Sequence, residues 1–279
     1  MKVGYAVLYE DGELVISKNH QLLNKKIIKD YDEFEDTNVP WKDESSQIKK
    51  IQILDQVKSN CVKEWFDDCI NLTTLINFKN LDVSDCKDFS YMFFCCESLQ
   101  DLNELQNWNV SNGTEFKRMF FCCESLQALN GLQNWNVSNG IDFSGMFASC
   151  KSLQDLNGLQ NWDVSNCTDF SGMFASCKSL QYINELQNWN VSSGTDFLYM
   201  FCNCKSLQDL KGLQNWDVSN CTDFLKMFEY CTSLQKILLP NTLSILRKDI
   251  FYKCNSTLKI HWKNHIYTYE DLLEYQTIY

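Results

Sequence analysis

Apolar residues along the chain run through two periods in succession, and the pair of periods then starts again every 27 residues. In the unit that begins at Trp162, the apolar positions are Trp162, Val164, Phe170, Met173, Phe174, Cys177, Leu180, Ile183 and Leu186. Phe170, Met173, Phe174 and Cys177 stand at i, i+3, i+4 and i+7, one stripe of a short helix, with Thr168 as its N-cap and Asp169 suited to the first-turn dipole. Leu180, Ile183 and Leu186 follow every third residue, which fits an extended side and its corners. A turn around residues 161–166 closes the coil. One unit cannot shield its own apolar stripe and must stack on neighbours, so the pattern predicts an α/β solenoid with a short strand and a short helix in each 27-residue coil.

The tryptophans mark the repeat: Trp108, Trp135, Trp162, Trp189 and Trp216 fall 27 residues apart. Leu81 and Leu54 take the same place in two earlier copies, the first of which keeps Phe66, Cys69, Leu72 and Leu75. Forward, the Phe-x-x-Cys element returns at Phe251 and Cys254 after a spacing shortened to 23. The array therefore spans residues 54–254, as seven full units and a shortened eighth. Residues 1–53 read as an N-terminal cap, in which positions 3–17 alternate around an Asp11-Gly12 hairpin turn and the acid-rich stretch 30–46 forms a loop. Residues 255–279 read as a C-terminal cap with a strand pair and a final helical turn.

The run from Trp162 to Leu180, Trp-Asp-Val-Ser-Asn-x-Thr-Asp-Phe-Ser-x-Met-Phe-x-x-Cys-x-Ser-Leu, resembles the BspA-like repeats of bacterial and protist leucine-rich repeat proteins, a group that includes mycoplasma surface lipoproteins. The likeness extends over residues 54–254. It implies a leucine-rich repeat solenoid that is non-catalytic and serves adhesion or protein binding.

Composition narrows the classes. The 279 residues are 44% hydrophobic and 22% charged, with 36 acids against 25 bases and a formal net charge of -11. That balance disfavours nucleic acid, which calls for a clustered basic face. No apolar run approaches the roughly 20 residues of a membrane-spanning helix. The N-terminus reaches Glu10 and Asp11 before a signal-peptide core forms, so the chain reads as cytoplasmic, with cell-surface or secreted placement as the alternative.

The fifteen cysteines are the chemical anomaly. Cys69, Cys96, Cys123, Cys150, Cys177, Cys204 and Cys231 form one column, about 5 Å apart if coils stack at strand spacing, a distance that disulfides can bridge. All seven also complete an apolar stripe, and the expectation is a column of packed free thiols. Cys86, Cys167 and Cys221 share a position with Gly113, Gly140 and Gly194, which suggests a tight inward corner rather than a ligand. Cys254, His261 and His265 lack a fourth zinc ligand, although the two histidines would share a strand face. The Asp163, Asn166 and Asp169 columns suit turn hydrogen bonds better than calcium. No cofactor, metal or catalytic residue is expected.

Recognition is expected at positions that vary between copies. One column is Asp101, Ala128, Asp155, Tyr182 and Asp209, and a second is Glu104, Gly131, Gly158, Glu185 and Gly212. On the other side Tyr91, Arg118, Tyr199 and Lys226 vary, as do Phe94, Phe121 and Tyr230. Phe94 and Phe121 either form an exposed aromatic patch or pack under the N-terminal cap. The near-invariant columns from Gln106 and Asn107 to Gln214 and Asn215 read as amide ladders along the axis. The candidate partner-binding residues are Asp101, Glu104, Asp155, Tyr182, Glu185, Asp209, Phe94 and Phe121, on a monomer whose protein partner is basic or polar.

Overall fold

The computed structural model describes residues 1–275 and 277–278. Near the N-terminus, β1 (Lys2–Tyr9) and β2 (Glu13–Ser17) pair antiparallel on either side of Asp11-Gly12. β3 (Ile27–Glu35) joins the other edge of β1, and β4 (Lys50–Ile53) runs parallel to β2. β5 (Val57–Lys58), β6 (Thr74–Ile76) and β7 (Leu81–Asp82) belong to the first coils. β6 pairs parallel with β4 and β7 with β5, so the terminal sheet, ordered β3-β1-β2-β4-β6, runs on into the solenoid. At the other end come β8 (Lys236–Leu238), β9 (Leu246–Arg247), β10 (Lys259–Trp262), β11 (His265–Thr268), α1 (Tyr269–Tyr275) and β12 (Thr277–Ile278). β11 and β8 flank β10 in one sheet.

The acid-rich stretch is not a loop for most of its length. Ile27–Glu35 is a strand because Tyr31 and Phe34 bury themselves against Trp41, while its charged neighbours face outward and pair with bases, as in His20–Asp30 at 2.7 Å and Lys2 with Glu33. A 3-10 helix, Lys42–Gln47, follows.

The predicted helix of each coil is also absent: among the described residues, α1 is the α-helix. The stripe residues are buried as expected, but on a ribbon of linked turns. In the coil of Phe89, the N–H groups of Met92, Phe94 and Cys96 donate to the carbonyls three residues back, at 3.3, 3.1 and 3.2 Å. The alternate N–H groups of Phe89, Tyr91, Phe93 and Cys95 donate instead to Glu115, Lys117, Met119 and Phe121 of the next coil, at 2.8 to 3.0 Å. A helix would have spent all of these N–H groups inside one coil. Stacking rewards the conformation that turns every second one towards the neighbour, and it does so at the cost of a left-handed residue at the third position of alternate turns. Those residues are Tyr91 and Cys95 here and Arg118 and Cys122 in the next coil. Thr168 is accordingly no N-cap; its N–H donates to Ile141 of the preceding coil at 3.0 Å.

The extended side of the middle coils likewise forms no continuous strand. Its corners take 3-10 turns such as Asn103–Leu105 and Asn184–Asn188, and the single parallel bridges that link Asp88, Glu115, Asp142, Asp169, Asp196 and Asp223 in turn lie at the start of the turn ribbon.

One core runs through the whole solenoid from Val3 to Leu272. Its rings stack coil on coil: Trp135 on Trp162 and Trp162 on Trp189 at centroid distances of 6.3 and 6.4 Å, and Phe93 on Phe120 at 5.6 Å. Each of the five repeat tryptophans, Trp108 to Trp216, also donates its Nε1–H to a carbonyl of the preceding coil, as Trp162 does to Leu132 at 3.0 Å. Buried polar groups must be paired, so this bond sets the stacking register as well as filling volume. At the open N-terminal end Trp41 stacks on Phe66 at 6.1 Å and donates to the Trp65 carbonyl at 2.7 Å, which closes the last face of the core.

Replacing Trp162 with Phe keeps the ring stack but removes one of the two hydrogen bonds to the Leu132 carbonyl, which still accepts the Trp135 N–H at 3.1 Å. Urea unfolding should show a loss of about 0.5–1.5 kcal/mol, the net contribution of one hydrogen bond; no measurable loss would show that the ring stack alone sets the register.

Candidate functional site

The main cysteine column is a set of free, buried thiols. From Cys96 to Cys231 each donates its S–H to a carbonyl of the preceding coil: Cys96 to Phe66 at 3.2 Å, Cys177 to Phe147 and Cys204 to Phe174 at 3.1 Å. Burial pushes these thiols up, Cys177 to about 12, so little nucleophilic thiolate exists at neutral pH. The corner column is tight as expected: a Cβ at Gly140 would lie 2.5 Å from the ring of Phe143, its own coil's stripe residue.

Other columns serve turns and coil contacts. The Asp163 carboxylate accepts the Ser165 N–H at 3.0 Å, and Asn166 donates to the Ser138 carbonyl at 2.8 Å. The axial amide ladder lies in this Asn166 column, not where it was expected. Gln133 and Gln160 accept N–H groups of their own coils, from Gly131 and Gly158, while Asn107, Asn134, Asn161, Asn188 and Asn215 stand exposed. His261 and His265 do not share a strand. They sit on paired strands β10 and β11, while Cys254 donates to the Phe228 carbonyl at 3.0 Å, so the three form no ligand set.

The expected recognition residues divide into two groups. Asp101 and Tyr182 are exposed and Asp155 and Asp209 half-buried; each of the three carboxylates accepts the N–H two residues on, at 3.0 to 3.2 Å. The Glu104 column is more constrained than its variation suggests. A Cβ at Gly131 would lie 2.1 Å from the Leu102 carbonyl oxygen, so backbone contact dictates glycine there. Glu104 accepts the Phe78 N–H at 3.0 Å, and Glu185 holds one carboxylate oxygen buried. Both therefore belong partly to the scaffold. Phe94 and Phe121 are half-buried on the outer side of the turn ribbon, stacked at 4.8 Å with Tyr91 against Phe94; the cap's Trp41 covers Phe66 instead.

Beside Phe121 the ribbon falls away into a notch of about 370 Å³. Gly145, Ala148, Gly172 and Ala175 floor it, in two coils whose outward positions lack large side chains. One wall is Arg118, whose guanidinium lies 5.5 Å from the Phe121 ring centre; the other is Tyr199, with the Lys226 ammonium 5.7 Å from its ring centre. In the floor the Ser144 hydroxyl is buried and has no hydrogen-bond partner among the described residues. Such a group is paid for only when something pairs with it. Sequence reasoning singled out Arg118, Tyr199 and Phe121 as variable but passed over the glycines and alanines between them, because a missing side chain reads as spacer. The repeated Ser-Gly-Met-Phe-Ala-Ser-Cys at residues 144–150 and 171–177 was the available signal.

A family described as mycoplasma proteins of unknown function, DUF285, matches residues 39–158 and 142–257. No curated protein matches the chain. Among solved structures, the chain is similar to a leucine-rich cell surface protein of Faecalibacterium prausnitzii, at 13% identity over 94% of each chain with a TM-score of 0.34. It is also similar to a leucine-rich repeat protein of Bacteroides ovatus, at 12% identity over 94% of this chain and 77% of that one, TM-score 0.37. A third is the T. pallidum leucine-rich repeat protein, at 13% identity over 74% and 87%, TM-score 0.32.

Thiol chemistry checks the burial pattern. In native protein without reductant, a thiol reagent should label only the half-buried set of Cys61, Cys95, Cys122, Cys202, Cys221 and Cys254, and all fifteen cysteines after denaturation. Rapid native labelling of Cys150 or Cys177, or fewer than fifteen thiols on unfolding, would contradict the packed column.

Proposed function

Because this chain belongs to the DUF285 family, a BspA-like leucine-rich repeat family, we propose that it is a non-catalytic scaffold that binds a protein partner across its repeat surface. The observation that carries this reading is the notch: a preformed cleft between two cation-capped aromatic walls, floored by small residues and one unpaired hydroxyl. Rigid aromatic and arginine groups around a hollow that a partner can fill are what interface hot spots are made of. Because the stacked coils hold the walls in place, little ordering cost attaches to binding.

Phe94 and Phe121 extend the contact along the ribbon, and Asp101, Glu104, Asp155, Tyr182, Glu185 and Asp209 offer a second, acidic contact strip. With a formal net charge of -11 the chain favours a partner that is basic or polar overall. Residues 1–53 and 255–279 act as caps on the array of residues 54–254, and the protein works as a monomer. Fifteen free cysteines, some half-buried, fit a reducing compartment and support a cytoplasmic location. Adhesion at the cell surface is the second reading; protease treatment of intact cells distinguishes the two, since only a surface protein would be cut.

Gly172 gives the direct test of the notch. A Cβ there meets only the Ala175 methyl at 3.9 Å, and Tyr199 adopts the same positive φ one coil on. Gly172→Tyr should therefore fill the notch without unfolding the protein. Capture of the partner from lysate of the source cell should fall by at least about tenfold, equivalent to about 1.4 kcal/mol. A parallel variant carries Asp101→Asn, Asp155→Asn, Tyr182→Ala and Asp209→Asn. Undiminished capture by both, at unchanged unfolding midpoints, would place binding off the repeat surface.

A further inference from the structure

Two of the half-buried cysteines repeat a short motif that no other coil carries. Cys95-Cys96-Glu97 and Cys122-Cys123-Glu124 occupy the same place in adjacent coils, where later coils have Ser149-Cys150-Lys151, Ser176-Cys177-Lys178 and Asn203-Cys204-Lys205. The central cysteine of each triplet is the packed core thiol. The outer one stands at a left-handed position, with φ of 54° at Cys95 and 60° at Cys122, which Ser149, Ser176 and Asn203 fill in the other coils. Neither burial nor backbone conformation therefore calls for cysteine there.

Backbone geometry brings thiol and carboxylate together. The N–H of Glu97 donates to the Cys95 carbonyl and that of Glu124 to the Cys122 carbonyl, both at 2.8 Å, so each glutamate folds back beside its own cysteine. The Cys122 thiol lies 3.5 Å from Oε1 of Glu124. Coil stacking then adds the neighbour: a carboxylate oxygen of Glu97, the Cys122 sulfur and a carboxylate oxygen of Glu124 lie within 4.8 Å of one another, and the Cys95 thiol adjoins that of Cys122 just outside this group. Lys151 of the following coil pairs with Oε1 of Glu124, the oxygen that also faces the thiol, and Oε2 takes no hydrogen bond among the described residues.

We propose that Cys95, Glu97, Cys122 and Glu124 form a binding site for a divalent transition-metal ion of the zinc class. Two sulfurs and two carboxylate oxygens make a four-donor set of mixed softness, which suits zinc and not calcium or magnesium, whose ligands are oxygens. Zinc bonds of about 2.0–2.3 Å set the donors of a tetrahedral site about 3.5 Å apart. Closure to that spacing requires rotation of the exposed Glu97 side chain and of Glu124 towards both sulfurs. On binding, each thiol releases its proton to solvent as its sulfur takes up the metal. Two thiolates and two carboxylates face the two charges of the ion, and Lys151 offsets part of the excess. In the free protein, burial and then the neighbouring thiol push Cys95 up to about 12, and burial raises Cys122 too. Metal uptake must work against those raised values, so affinity rises with pH.

Cobalt(II) reports the site directly, because thiolate coordination gives a charge-transfer band that carboxylate or histidine sites lack. Titrating the reduced, anaerobic full-length chain with cobalt(II) should give this band, saturating at about one ion per chain and bleaching when zinc is added. Cys95→Ser and Cys122→Ser should each abolish or strongly reduce it. Both variants should fold, since the chain itself places serine at the equivalent positions 149 and 176, and circular dichroism checks that they do. Glu97→Gln should weaken binding by more than about tenfold, the loss that even outer-shell partners can cause. Cys202→Ser, which changes a half-buried thiol elsewhere on the ribbon, should leave the titration unchanged. Absence of a thiolate band in the reduced wild-type chain, or a band that survives unchanged in folded Cys122→Ser, would overturn the site.

Discussion

Everything in this solenoid depends on hydrogen bonds between coils. The turn ribbon keeps half of its N–H groups for its own turns and sends the other half to the next coil, as Phe89, Tyr91, Phe93 and Cys95 do to residues 115–121. A lone coil would leave those donors without protein partners and its phenylalanine and methionine stripe in water. Stacking corrects both at once, which is why ring columns and hydrogen-bond columns share one spacing. Tryptophan Nε1–H and cysteine S–H groups then take up carbonyls that face the core. The same requirement explains the ends, where β4 and β6 extend the terminal sheet into the first coils and Trp41 covers the last exposed ring.

This constraint also separates scaffold from surface. Residues whose side chain bonds to a neighbouring coil, or whose Cβ would collide with one, have no freedom, and they include some that vary in sequence, such as Glu104 and Gly131. The left-handed positions of the ribbon are different. They need only a residue that tolerates positive φ, and they point outward, so glycine, arginine, tyrosine, serine and cysteine all occur there. Both the notch and the Cys95–Cys122 cluster lie on this ribbon. Surface chemistry is free to differ from coil to coil only where stacking asks for a conformation and not for a side chain.

Much of the fold was legible in the sequence because burial has a period and burial is what repeats. Phe170, Met173, Phe174 and Cys177 were placed inside correctly, as was the inward corner at Gly140. The helix expected from the same four residues was not there. A stripe at i, i+3, i+4 and i+7 records which side chains face the core, and a chain of linked turns satisfies it as well as a helix does. The choice between them rests on where the N–H groups find acceptors, and those acceptors lie a whole coil away in sequence.

The candidate surfaces divide in the same way. The sequence by itself determined the repeat, the family, the column of packed thiols and the set of variable positions, because each follows from the recurrence of residue types along one chain. Tertiary structure alone decided that Ile27–Glu35 becomes an edge strand, that Gly145, Ala148, Gly172 and Ala175 open a notch between Arg118 and Tyr199, and that Cys95 and Glu97 meet Cys122 and Glu124. The strand depends on its pairing with β1 and on the packing of Tyr31 and Phe34 against Trp41, while the notch and the cysteine cluster depend on distances between residues about one coil or more apart, which exist only once backbone hydrogen bonds have fixed the stacking register.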